Sequence, residues 1–109
     1  MSALRIYIAG PMTGLSDFNY PAFFAAERAL QAIGHSPINP ARKAGRDGCN
    51  TWLDFMRAAL HDLADSDGVA LLDGWQNSRG AAIELRTADS LLLPAFRVSE
   101  WLSAGGGLP

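Results

Sequence analysis

Leu4-Arg5-Ile6-Tyr7-Ile8-Ala9-Gly10-Pro11-Met12-Thr13-Gly14 opens the chain almost at once. Its first six residues are rich in β-branched and aromatic side chains and stop at Gly10-Pro11, the pattern of a strand ending in a turn. Outward from there the pattern alternates. Asn19 stands as a candidate N-cap with Pro21 near the first helical position. Phe23, Ala26, Leu30 and Ile33 then recur at helical spacing, and Gly34 sits where a left-handed C-terminal cap belongs. Pro37 and Pro40 confine any strand over residues 35–39 to a short or edge one. Residues 41–50, with Arg42, Lys43, Arg46 and Asp47, read as a polar loop and the most mobile segment.

Thr51 followed by Asp54 resembles a capping box. It precedes a second stripe of Leu53, Met56, Leu60 and Leu63, which Asp65-Ser66-Asp67-Gly68 ends. Val69-Ala70-Leu71-Leu72 is continuously apolar, as expected of a strand buried on both faces of a parallel sheet. A loop over residues 73–78 leads to a third helix carrying Ala81, Ala82, Leu85 and Ala88. Ala95-Phe96-Arg97-Val98 reads as a fourth strand. Strands alternating with helices predict an α/β fold, a parallel sheet with helices on both faces. Residues 1–103 form one domain on this reading, and residues 104–109 a disordered Gly-rich tail.

The chain has 109 residues, 49% of them hydrophobic and 18% charged, which suits one domain with a real core. Its net charge is −2, and eight scattered Arg and Lys43 make no basic field, so polymeric DNA or RNA is not an expected partner. No apolar run approaches the roughly 20 residues of a membrane helix. The start has no signal-peptide pattern, and the single Cys49 forms no internal disulfide framework. The expectation is a cytoplasmic protein without a membrane partner.

In open parallel sheets ligands bind outside the carboxyl ends of the strands, which selects residues 10–14 and 73–80. Residues 10–14 offer small side chains and free amides for close approach to an anion or sugar; they also read as an ordinary turn. Ser78-Arg79-Gly80-Ala81-Ala82-Ile83-Glu84 sets Ser78 and the Gly80 amide at a helix start, where the dipole favours an anion. Glu84 follows as a lone acid among apolar neighbours. Two readings of Glu84 stand: an inward catalytic carboxylate, or a surface partner of Arg28, Arg79 or Arg86. Trp75 lies at the expected mouth, and Phe18 and Tyr20 near the first loop are either packing or ligand-facing. His35, Cys49 and His61 lack ligand spacing, so no metal is expected.

Residues 7–14, Asp73-Gly74-Trp75, and Ser78 through Glu84, in that order, resemble the nucleoside 2-deoxyribosyltransferase superfamily and specifically its DUF4406 branch, over about residues 4–98. The resemblance implies a flavodoxin-like or Rossmann-like three-layer sandwich with a sheet of four to five parallel strands. It implies a homodimer or larger homo-oligomer that cleaves the N-glycosidic bond of a nucleoside or nucleoside 5′-monophosphate without a cofactor. Glu84 falls at the nucleophile position and Tyr7 at a tyrosine beside it. Ser78 matches a phosphate-holding serine, and Gly10, Pro11, Met12 and Gly80 line the sugar or phosphate pocket. The sequence departs from the pattern at Ala59, where relatives carry a base-contacting aspartate, with Asp62 one turn further on. That departure leaves a non-catalytic nucleotide-binding module as the alternative, and a protein-interaction domain as a third.

Overall fold

A computed structural model describes residues 3–43 and 50–109. The expected loop beyond Lys43 and Cys49 lie outside the described residues, as does the very start of the chain. Four strands, β1 (Arg5–Ala9), β2 (Ser36–Ile38), β3 (Gly68–Leu71) and β4 (Ala95–Arg97), form one sheet in the order β2-β1-β3-β4. All pairs are parallel, with Tyr7 opposite Ile38 on one side and Val69 on the other. The α/β expectation holds, with four strands.

Helices α1 (Tyr20–Ala32) and α4 (Val98–Ser103) cover one face, and α2 (Trp52–Ala64) and α3 (Arg79–Ser90) the other. Strand alternation decides which side chain meets which layer. Ile6 and Ile8 join Phe23, Ala26, Leu30 and Trp101 in one core, while Tyr7 and Ala9 join Ala59, Leu63, Leu71 and Ala88 in the other. The three β1 residues Ile6, Tyr7 and Ile8 are wholly buried, which explains why this strand reads as an unbroken apolar run.

Local chemistry sets the helix ends. The Thr51 hydroxyl accepts from the Asp54 N–H while the Asp54 carboxylate accepts from the Thr51 N–H, so the capping box forms as read. Gly34 takes φ +95°, as a left-handed cap does. Asn19 stands at the N-cap of α1, with Pro21 in its first turn as read, but its side chain does not cap the helix. Asp17, Phe18 and Asn19 all have left-handed φ, and the Asn19 amide donates to the Pro11 carbonyl at 3.0 Å instead of capping α1. Leu53 is also off the predicted stripe: α2 buries Met56, Ala59 and Leu63 and leaves Leu53 exposed.

Three further features depart from the sequence expectation. Pro40–Lys43 forms a short 3-10 helix where the expected loop begins at residue 41. It is tied to α1 by a two-pronged ion pair from Arg42 to Glu27 (2.6 and 2.8 Å). Helix α4 was not anticipated; its Trp101 is fully buried and donates Nε1–H to the Val69 carbonyl at 2.8 Å. Beyond it, residues 104–107 continue as turns, with the Gly105 N–H donating to the Leu102 carbonyl.

Candidate active site

The strand order reverses direction between β1 and β3, and both segments selected from the sequence emerge there. They touch: a Cβ at Gly74, itself at φ +85°, would lie 3.4 Å from Pro11 Cγ. Gly10 allows this closeness, since any side chain there would meet Leu72 Cβ at 2.6 Å. At this end of the sheet lies a cavity of about 830 Å³. Gly10, Pro11 and Met12 form one wall, and Ser78, Gly80 and Glu84 another.

Glu84 is 5% exposed. Its partner is the Tyr7 hydroxyl, which donates to Glu84 Oε2 from the strand beneath. Arg28, Arg79 and Arg86 make no ion pair with Glu84 among the described residues, so the surface-pair reading does not hold. Burial pushes the Glu84 carboxyl up from its ordinary 4.5 to about 7, and the Tyr7 hydrogen bond pulls the other way by favouring the anion. Tyr7 itself is pushed well above its ordinary value by burial first, then by Glu84 and Asp62. It therefore stays a neutral donor. A carboxyl that ionises near neutrality, desolvated and fixed by one donor, is equipped to be a nucleophile or a proton carrier.

Ser78 caps α3, its Oγ accepting from the Ala81 N–H at 3.1 Å. Gly80 packs the start of α3 against α2: a Cβ there would sit 3.2 Å from Met56 Sδ. Tyr7 stands behind Glu84 and is not part of the cavity wall. Trp75, expected at the mouth, does not line this cavity. It packs with Leu85 and Leu93 around a separate hollow of about 520 Å³, lined also by Ala82, Arg86 and Asp89 of α3.

Trp52, Phe55 and Met56, at helical spacing on α2, supply a wall the sequence reading did not assign, faced by Phe18 and Tyr20. The one usable signal was the i, i+3, i+4 spacing of the α2 trio. Ala59, the departure noted above, is 2% exposed and packs in the core with Tyr7. No group of three or more His, Cys, Asp or Glu among the described residues could hold a metal ion. No helix among them is long and apolar enough to cross a membrane.

Residues 4–96 match the family described as a domain of unknown function, DUF4406. No curated protein matches the sequence. Among solved structures the chain is similar to the 2-deoxyribosyltransferase of the psychrotolerant bacterium Bacillus psychrosaccharolyticus, described as a biocatalyst for the synthesis of antiviral and antitumoral nucleosides. The TM-score is 0.65 at 20% identity, over 84% of this chain and 69% of that one. At that identity the likeness is one of fold.

Proposed function

The chain belongs to the DUF4406 family and has the fold of a 2-deoxyribosyltransferase, and from that premise we propose that it cleaves the N-glycosidic bond of a nucleoside or nucleoside 5′-monophosphate. The observation that carries the reading is Glu84: a buried carboxyl at the wall of a nucleotide-sized cavity, held by the Tyr7 hydroxyl. In the reaction the ionised Glu84 attacks the anomeric carbon on the face opposite the base. The glycosidic bond breaks through an oxocarbenium-like transition state, and the base leaves with the bonding electrons and takes up a proton. Water or a second base then displaces Glu84 from the glycosyl ester. Tyr7 positions the carboxylate. Ser78 and the amide of Gly80 hold the sugar or its phosphate, beside Gly10, Pro11 and Met12. This chemistry calls on no cofactor. A cytoplasmic homodimer or larger homo-oligomer is part of the same reading.

The test is release of free base, followed by chromatography over a panel of nucleosides and monophosphates. Wild type releases base and Glu84→Ala does not; equal release by both ends the catalytic reading. A second reading, a nucleotide-binding module without turnover, is favoured by one observation. The α2 wall of the cavity offers Trp52, Phe55 and Met56, with no carboxylate to protonate a leaving base, and Ala59 lies in the core. Loss of a general acid typically costs about 10²–10⁴-fold in rate. Under that reading a ligand at 100 times its dissociation constant stabilises the fold by about 2.7 kcal/mol, while no base appears.

A further inference from the structure

We propose that Arg79, seated against Trp52 at the edge of the cavity, makes the site prefer a sugar carrying a 5′-phosphate over the uncharged nucleoside. The inference rests on the nucleoside reading above for its ligand and goes further by choosing between the two substrate classes.

Three observations carry it. First, Arg79 is the only cationic side chain lining the cavity among the described residues, and Glu84 the only acidic one. Second, Arg79 is uncommitted. Arg5, Arg42 and Arg97 pair with Asp67, Glu27 and Glu100, whereas Arg79 has no carboxylate partner among the described residues. Its guanidinium lies over the Trp52 ring, with Cζ 4.4 Å from the centroid. A cation–π contact of this kind consumes none of the five guanidinium N–H donors in hydrogen bonds, which leaves them for an anion. It also fixes a long side chain that would otherwise lose rotamer freedom on binding. Third, the spacing fits. Arg79 and Glu84 both line the cavity from α3; five positions separate them by about 7.5 Å along the axis, and the Arg79 side chain reaches across to Trp52 on α2. In a nucleotide, the anomeric carbon and the 5′-phosphorus are separated by the sugar ring, the exocyclic C5′ and the ester oxygen, a comparable reach. The Ser78 oxygen already accepts from the Ala81 N–H, so its hydroxyl proton remains to be donated beside Arg79.

Binding is measured by calorimetry on the Glu84→Gln protein, with the 2′-deoxynucleosides and their 5′-monophosphates as matched pairs. The expected result is that each monophosphate binds at least about tenfold more tightly than its nucleoside, the scale of one charge-assisted hydrogen bond. Adding Arg79→Gln removes about tenfold of that ratio, and inorganic phosphate competes with the monophosphate in the parent protein but much less in the double variant. A preference that survives Arg79→Gln unchanged, or equal affinity for both members of each pair, overturns the inference. Wild-type base release separates this from the catalytic reading. Arg79-dependent preference without any base release leaves the inference standing and ends the enzyme reading. Base release together with equal affinity for both members of each pair does the reverse.

Discussion

Replacing Glu84 with Gln tests the electrostatics of the site through the stability of the whole fold. Burial lifts the Glu84 carboxyl from 4.5 to about 7, whereas in the unfolded chain it ionises at its ordinary value. Between those values the folded protein holds a proton that the unfolded chain has released. Stability is therefore fully present below the lower value and falls as pH rises towards the upper one. At about 1.36 kcal/mol for each pH unit, the loss reaches about 3 kcal/mol once the carboxyl is ionised in the fold. Gln has nearly the same shape, accepts the Tyr7 hydrogen bond through its oxygen and cannot ionise, so any packing cost it brings is constant with pH. Urea unfolding followed by tryptophan fluorescence reads the difference, since Trp101 is wholly buried and reports the core. From about pH 4 to about pH 8, the difference between variant and wild type moves in the variant's favour by about 3 kcal/mol. A difference that stays flat over that range refutes the claim that Glu84 is desolvated, and with it the mechanism built on it.

Tyr7→Phe keeps the buried ring and removes the donor to Glu84. The Glu84 carboxyl then rises further, and the limb of the base-release profile that reports its ionisation moves to higher pH with a lower plateau, as a pH–rate series shows. Gly10→Ala forces a methyl against Leu72. Overpacking of this kind costs about 1–3 kcal/mol, seen as a lower midpoint in thermal unfolding. Arg42→Ala strands the buried Glu27, whose carboxyl Arg42 holds below its usual range. The variant is less stable than wild type at neutral pH, and the gap narrows as acid protonates Glu27, which melting curves across the acidic range measure.

The layers of this fold are legible because the sequence states them redundantly. Residues 69–72 and the β1 run are apolar on both faces, the Thr51–Asp54 box marks a helix start, and Gly34 marks a helix end. Glu84 was legible for a similar reason, as a lone acid where an exposed helix would carry polar company. What stayed hidden depends on direction. Helix α4 is too short to show a periodic stripe, and Trp101 reveals itself only through the cavity it fills over Gly68, where a Cβ would meet its ring at 3.0 Å. Trp75 belongs to the correct segment but lines the separate hollow beside α3 instead of the cavity, a direction that its position in the sequence does not encode. Asn19 offers a capping side chain to a helix yet spends it on Pro11, a contact across loops that no local pattern encodes. The α2 wall was misregistered by Leu53, since spacing alone does not say which side of a helix meets the sheet.

Tyr7 and Glu84 meet across 77 positions of chain, one from the first strand and the other from the third long helix. No fragment containing only one of them can form the pair, which sits where β1, flanked by β3, meets α3. Contacts of such long range are among the slower to form. The Tyr7–Glu84 pair is therefore a product of the assembled sheet and helix layer, absent from any chain too short to include both.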